Sequence, residues 1–582
     1  MKKVIRPRTL PETAPLLPDM HPVLARLYAL RGVTRSVELE RALKGLAPAA
    51  GLKGLERALD VLEEAVRAGL RLLVVGDFDA DGATSTTLAV LALRAMGADV
   101  DYLVPNRFEY GYGLTPEIVA LAVRSKSPQL IVTVDNGISS LDGVLAAQAA
   151  GIRVLITDHH LPGAELPAAD AIVNPNQPDC GFPSKHLAGV GVIFYLLSSL
   201  RTRLRQSDWF GQKGLPEPVM ADYLDLVALG TVADVVPLDA NNRVLVFQGL
   251  SRIRAGRCRP GITALLAVAN KDPARVVATD LAFQVGPRLN AAGRLDDMAH
   301  GIECLLTDSA ELAQQYASEL DGLNLERRNI ESGMQQEAMA AIRQLRFEHD
   351  RLPHGLVLFD RYWHQGVIGI VAGRIKERYH RPVIAFAPAD NEGEGGRPLA
   401  LKGSARSIPG VHVRDVLDTV AALNPGLITR FGGHAMAAGL TLPADHLAAF
   451  RLAFDAAVKA AATPEHFEPV LLSDGELPPE CFSEAFVELL REAGPWGQGF
   501  PEPLFHGEFV CLEQRLLKEK HLKMSVSHPA ANRVFDAIAF NVDRERWPNE
   551  SKRVRLAYRL DINEWRGSRT LQLLVEYLEP VT

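Results

Sequence analysis

Four short runs of aliphatic and β-branched residues, each set off by a helical pattern, constrain this chain more than anything else in it. They are LLVV (72–75), VDYLV (100–104), LIVTV (130–134) and RVLIT (153–157), with helical stretches at 83–96, 116–125 and 139–149 between them. A strand with one wet face alternates polar and apolar residues, whereas a strand apolar throughout is covered on both sides. Continuous apolar strands alternating with helices therefore predict a parallel sheet with helices on both faces, in an α/β region over 46–300. Crossovers of this kind are right-handed. Ligands of such a sheet collect beyond the carboxyl ends of its strands.

That edge is where the acidic residues fall. VVGDFDADG places Asp77, Asp79 and Asp81 just past the first strand, and VTVDNGI places Asp135 at the end of another. LITDHH places Asp158, His159 and His160 at the end of a third, and LGTVADVVPL places Asp234 after a helical run. One loop aspartate is ordinarily a cap or turn residue. A set of carboxylates converging on one edge repels itself and raises its own pKa values. Divalent cations relieve that repulsion, and aspartate oxygens with a single imidazole suit Mn²⁺ or Mg²⁺ better than a thiolate zinc site. Two such ions clamp an in-line displacement at phosphorus, so the chemistry implied is hydrolysis of a phosphate ester or phosphoanhydride.

The rest of the chain divides by pattern. Residues 1–45 read as an N-terminal extension with one amphipathic helix around His21–Arg31, and 46–308 as the first α/β domain. Residues 309–348 carry apolar positions at helical spacing, from Leu312 and Tyr316 to Ile342 and Leu345. One helix of that length spans ~60 Å; Gly322 is a candidate bend. Residues 349–460 hold strands at 355–359 and 382–387 and read as a second α/β domain, ended by a stretch rich in proline. Residues 461–582 read as β. Leu556, Tyr558, Leu560 and Ile562 share one strand face, Leu571, Leu573, Val575 and Tyr577 another, with EWRGSR as the turn between. Runs at 507–512, 522–526 and 533–540 bring the strands to five, which fits a small barrel of the oligonucleotide-binding type.

Composition removes several alternatives. The 582 residues are 47% hydrophobic and 23% charged, as in folded protein. The five cysteines form no CxxC pair, which argues against a zinc ribbon or a thioredoxin-like site. Scattered cysteines, no apolar run of ~18 residues and no signal segment lead to the expectation of a cytoplasmic protein without a membrane span. The net charge of −7 argues mildly against nucleic acid, although an acidic metal site and a basic groove can share one chain. No GxGxxG follows the first strand, so a dinucleotide cofactor is not indicated.

At these residues the sequence resembles the DHH phosphoesterase superfamily, named for the Asp158-His159-His160 triplet, and in particular its single-strand-specific 5′→3′ DNA exonucleases. The resemblance rests on an ordered set: DFDADG, PNRFEYGYGL, VDNGI, DHH and GTVADVVPL, then FQVGPRLNAAGRL (283–295), WHQGVIGIVAGRI (363–375), KGSARS (402–407), GGHAMAAGL (432–440) and PWGQGFPEP (495–503). It implies that Asp77 and Asp79 hold one metal, that Asp81, His159 and Asp234 hold another, and that Asp135 bridges them. His160 would then sit at the attacked phosphate, with Asp158 orienting a neighbour. It also implies mononucleotide products, a role in DNA repair and recombination, and single-strand-binding protein and a helicase as partners. A monomer is the default. A superfamily member acting on short oligonucleotides, cyclic dinucleotides or pyrophosphate, and a non-catalytic DNA-binding relative, are the alternatives.

Several residues suit the holding of a strand. Arg107, Arg288 and Asn290 follow strand or Gly-rich patterns, and a guanidinium presents a planar fork to phosphate. KGSARS, read as a small-residue loop, offers Ser404 and Arg406; GGHAMAAG offers Gly432, Gly433 and His434, whose backbone can approach a phosphate closely. By the resemblance this second domain binds the substrate's end, so Ser404 and Arg406 would receive a 5′ phosphate, with His364 assisting. The last domain carries Arg515, Lys518, Lys520, Lys523, Arg533, Arg544, Arg546, Lys552, Arg553, Arg555 and Arg559, read as a groove for single-stranded DNA with Trp565 or Phe540 stacking bases.

Overall fold

The computed structural model describes residues 3–11, 20–105, 110, 112–349, 352–389, 398–530, 533–565 and 568–581. The chain forms two compact units. The larger gathers Arg8–Asn324 and Asp474–Thr582, the smaller Met1–Pro7 and Leu325–Ser473. The N-terminal extension is thus divided. Strand β1 (Val4–Pro7) pairs in parallel with Val470–Ser473 in the smaller unit. Helix α1 (Pro22–Ala29) belongs to the larger, where it buries Val23, Leu24, Leu27 and Tyr28.

The larger unit contains a five-stranded sheet of β2 (Arg71–Gly76), β3 (Asp99–Leu103), β4 (Leu130–Val134), β5 (Arg153–Thr157) and β6 (Ala171–Val173). The order is β3-β2-β4-β5-β6 and every pairing is parallel. Side chains alternate between two cores, as a period of two requires. Leu72, Val74, Leu130, Val132 and Leu155 enter one core, and Leu73, Val75, Ile131, Val154 and Ile156 enter the other. Strands covered on both faces are what the continuous apolar runs demanded.

The alternation stops earlier than 300. After β6, a strand the pattern did not reveal, the larger unit is helical as far as Leu306. It contains α2 (Ala80–Ala95), packed after β2, then α3 (Gly189–Gln206), α4 (Leu224–Ala233) and α5 (Gly286–Leu295). The helical run expected before Asp234 is α4, LDLVALGTVA, buried from Leu224 to Val232.

Helix α6 (Ala310–His349) runs as one element through Gly322. In the smaller unit, β7 (Leu356–Phe359), β8 (Val383–Pro388), β9 (Ala400–Arg406), β10 (Arg430–Gly433) and β11 (Ala437–Pro443) form a sheet in the order β10-β11-β9-β8-β7. Helix α7 (Ile368–Tyr379) lies between β7 and β8 in the chain. KGSARS, expected as a loop, is most of β9. Leu401, Gly403 and Ala405 point into the core and alternate with Lys402, Ser404 and Arg406. Gly403 is required there, because a Cβ would stand 2.4 Å from the Phe386 ring.

After β12 (Val470–Ser473) the chain returns to the larger unit, forms α8 (Glu484–Ala493), and closes a barrel of β13 (Phe505–Leu517), β14 (His521–His528), β15 (Arg533–Ala539), β16 (Arg553–Trp565) and β17 (Ser568–Pro580). Leu556, Tyr558, Leu560 and Ile562 face the barrel core, as do Leu571, Leu573, Val575 and Tyr577. The EWRGSR turn includes residues outside those described. Barrel and parallel sheet share one hydrophobic core. Tyr28 stacks on Trp496 and Phe500, and the Arg31 guanidinium makes a buried two-pronged pair with Asp474, both contacts at 3.0 Å. Among the described residues no helix is long and apolar enough to cross a membrane.

Candidate metal centre

Strand register builds the site. Gly76 is aligned with Val134, and Val134 with Thr157. The next residue of each strand is Asp77, Asp135 or Asp158, so three carboxylates leave the same edge side by side. Asp79 is the N-cap of α2, its carboxylate accepting the Gly82 N–H at 3.0 Å. Asp81, in the first turn of α2, accepts the N–H groups of Gly189 and Val190 at the start of α3, at 2.6 and 3.0 Å. Asp234 ends α4. Asp135 has φ +62°, a left-handed conformation that non-glycine residues seldom hold away from functional sites. Gly189 lies against it so closely that a Cβ would stand 2.7 Å from the Cβ of Asp135.

Two triads result. Donor atoms of Asp81, His159 and Asp234 lie within 4.8 Å of one another, as do those of Asp77, Asp79 and Asp135. A third grouping joins Asp135, His159 and His160. His159 Nε2 is 3.1 Å from Asp135 Oδ1 and 3.5 Å from Asp234 Oδ2. The Leu187 backbone hydrogen-bonds the same ring, which aims Nε2 at the carboxylates.

The electrostatics are those of a cation site. Burial and Asp79 push Asp81 up to about 7, against the two amides it accepts. Burial, then Asp81, Asp79, Asp77 and Asp234, raise Asp135 well above the carboxylate range. Asp234 is raised by burial and by Asp81 and Asp79. Burial and the neighbouring His160 charge lower His159 to about 4, leaving it neutral and able to ligate. Among the described residues, Asp135 Oδ1 and His159 Nε2 are buried with no hydrogen bond satisfying either, a cost that a bound cation removes. Hard oxygens with one imidazole fit Mn²⁺ or Mg²⁺.

Asp158 is different. Its carboxylate accepts N–H groups of Ile138 (2.9 Å), His159 (2.7 Å) and His160 (3.1 Å), and pairs with His160 Nδ1 at 2.7 Å. Burial favours its neutral form, but these bonds outweigh it and lower the pKa. Burial opposes the His160 charge in turn, yet Asp158 raises that ring to about 9. His160 is therefore a cation at the rim of the acidic cluster.

Other site candidates are placed variously. Arg107 lies outside the described residues. Arg288 is buried and engaged, donating to the Gln284 carbonyl at 2.6 Å and pairing with Asp321 at 2.8 Å. The Asn290 side-chain carbonyl accepts the Ala80 N–H at 2.7 Å, which fixes the start of α2 and the loop carrying Asp77 and Asp79. In the smaller unit, Arg406 Nη1 donates to Ser404 Oγ (3.1 Å) and the Ala405 carbonyl (2.8 Å), and burial lowers its pKa. Gly369, at the start of α7, lies against both side chains. His364 Nδ1 accepts the Gly366 N–H, and Lys402 donates to Gln365. Gly432 and Gly433 end β10, and His434 begins the turn to β11, its N–H bonded to the Ala437 carbonyl.

Five of the eleven barrel cations read as a groove are paired with carboxylates. Lys523 pairs with Asp536, Arg544 with Glu519, Arg553 and Arg555 with Glu508, and Arg559 with Glu502 and Glu576. Phe540 is exposed and edges against His521; the Trp565 side chain lies outside those described.

The sequence reading missed three contributors. Asn174 and Asn176 donate to the carbonyls of His160 and His159 and hold the DHH turn; they follow β6, so recognising that strand would have pointed to them. Tyr112 places its hydroxyl 3.2 Å from His160 Nδ1 and 3.4 Å from the Asp135 carbonyl.

Three family models match this chain: the DHH family N-terminal domain over 71–231, the DHHA1 domain over 353–460 and the RecJ OB domain over 473–577. With the paired acidic triads at the sheet edge, they define a member of the DHH superfamily with a divalent-cation centre. The single-stranded-DNA-specific exonucleases RecJ of Escherichia coli (strain K12) and Dickeya dadantii (strain 3937) are 55% and 57% identical to it, over 99% and 100% of this chain and the same shares of theirs. The crystal structure of RecJ from Thermus thermophilus in complex with Mn²⁺ matches with a TM-score of 0.77 at 33% identity, covering 97% of this chain and 76% of that one. The Mg²⁺ complex matches with a TM-score of 0.73 at 31% identity and the same coverage. The chain belongs to the RecJ family of exonucleases.

Proposed function

We propose that this chain is a metal-dependent exonuclease that degrades single-stranded DNA from the 5′ end to 5′-mononucleotides by a two-metal mechanism. The observation that carries the reading is the pair of triads, Asp77–Asp79–Asp135 and Asp81–His159–Asp234, that meet where His159 Nε2 lies 3.1 Å from Asp135 Oδ1. Asp77 and Asp79 would hold one Mn²⁺ or Mg²⁺, Asp81, His159 and Asp234 the other, with Asp135 between them. Bound there, the ions would stabilise charge building on the phosphoryl oxygens and make an attacking water more acidic. His160, kept cationic by Asp158, would stabilise the attacked phosphate or orient that water. Asn290 would act by positioning the metal-binding loop rather than by touching phosphate.

The terminal phosphate would be received in the smaller unit by Arg406 and Ser404, with His364, Gly432, Gly433 and His434 nearby in sequence motifs of the same domain. A half-buried guanidinium with no carboxylate partner among the described residues supports this assignment. The barrel would hold the strand farther along, through Arg515, Lys518, Lys520 and the exposed Phe540 ring. A cytoplasmic monomer working with single-strand-binding protein and a helicase in DNA repair and recombination completes the reading.

The test is degradation of a single strand labelled separately at each end, with Mn²⁺, with Mg²⁺ and with a chelator, beside a blunt duplex. Early metal-dependent release of the 5′ label as a mononucleotide, absent on the duplex, is expected. First release of the 3′ label overturns the polarity. Cleavage confined to very short oligomers overturns the substrate.

A further inference from the structure

Tyr112 is a half-exposed aromatic residue at the rim of the acidic cluster, with 51% of its surface open. Its two ends differ. The hydroxyl is held inside, 3.4 Å from the Asp135 carbonyl and at nearly equal distances, 3.2 and 3.4 Å, from the two ring nitrogens of His160. The oxygen is thus within hydrogen-bond reach of the imidazole, which anchors the tyrosine at that end. The tyrosine ring stands edge-on to Phe78 and to His160, at centroid distances of 6.0 and 5.8 Å. An anchored ring with an open surface next to a phosphate-cleaving centre has the properties of a stacking platform, which accepts any base because every base has a π face.

We infer that Tyr112 stacks the nucleobase flanking the scissile phosphate and so sets that phosphate against the metal centre. A base still paired and stacked in a duplex cannot take this place without being unstacked, which gives the cleavage site its own preference for a single strand. The inference rests on the acidic cluster being the cleavage site.

The experiment compares wild type, Tyr112→Phe, Tyr112→Leu and Tyr112→Ala on single strands that are intact or abasic at the first or the second nucleotide. Base–aromatic stacking corresponds to roughly 5- to 150-fold in kcat/KM. Tyr112→Ala and Tyr112→Leu should lose on that scale on the intact strand, mainly through KM, and Tyr112→Phe should stay within a few-fold. Wild type should lose a similar factor on one abasic substrate, and Tyr112→Ala should lose nothing further on it. Independent multiplication of the two losses overturns the platform, as does an equal loss in Tyr112→Phe, which would assign the effect to the hydroxyl. Mn²⁺ titration by calorimetry should be unchanged in all three variants. Asp135→Ala separates the premise: if cleavage survives in it, the site reading fails whatever Tyr112 does.

Discussion

Replacing Arg406 by alanine probes how the chain would recognise the end of its substrate. Arg406 sits half-buried on β9, with its Nη1 bonded to Ser404 Oγ and the Ala405 carbonyl and with no carboxylate beside it among the described residues. A cation kept there is under a desolvation cost that an anion would relieve. A hydrogen bond to a charged group contributes about 1.5–3 kcal/mol, or roughly 10- to 150-fold in an equilibrium. Wild type should therefore prefer a 5′-phosphorylated strand to a 5′-hydroxyl strand by about that factor in kcat/KM, and Arg406→Ala should abolish the preference. Arg406→Lys should recover only part of it, because the ammonium lacks the planar fork. Gly369→Ala should also weaken it, since its Cβ would stand 2.8 Å from Arg406 Nη2 and 2.9 Å from Ser404 Oγ. Removing a half-buried charge with no carboxylate partner should cost little stability, so the melting temperature serves as the control. The reasoning is refuted if Arg406→Ala, still folded, discriminates between the two ends as wild type does.

Asp135→Asn should remove both cleavage and metal-linked stabilisation. For wild type the latter is about 2.7 kcal/mol at a hundredfold excess of Mn²⁺ over Kd, read as the difference in unfolding with Mn²⁺ and with chelator. Gly293→Ala would put a Cβ 1.8 Å from the Phe78 carbonyl; displacement of the Asp77–Asp81 loop should lower Mn²⁺ affinity, measured by calorimetry. Gly322→Ala, where a Cβ meets nothing within 4 Å, should instead stabilise the long helix by up to ~1 kcal/mol in urea unfolding. Asp474→Ala leaves Arg31 buried without its partner and should cost about 3–5 kcal/mol. Arg275→Ala removes an exposed pair to Glu564 and should cost under ~1 kcal/mol; equal losses in the two would contradict this use of burial.

The parallel sheet and the barrel were legible because their evidence is local. A strand covered on both faces must be apolar throughout, and a barrel strand must alternate, so LIVTV and RLAYRLDIN state their environments within a few residues. The convergence of Asp77, Asp135 and Asp158 followed as well, since parallel strands in register end together. Where local pattern was silent, reading failed. β6 is three residues long, and KGSARS looks like a loop because the glycine in it, Gly403, is dictated by Phe386 on the neighbouring strand.

What the sequence by itself determined was therefore the sheet, the edge on which chemistry is placed, and the acidic residues available there. The tertiary structure decided their use. It divided the carboxylates into two triads and gave Asp158 to His160 and to backbone amides instead of the cluster. It turned Arg288 toward Asp321, set Asn290 on Ala80 and brought Tyr112 to His160. Most of these partners are tens to hundreds of residues apart in the chain, and a hydrogen bond or ion pair depends on distances of a few ångströms. Spacing along a chain supplies such distances only within one element; between elements they come from packing.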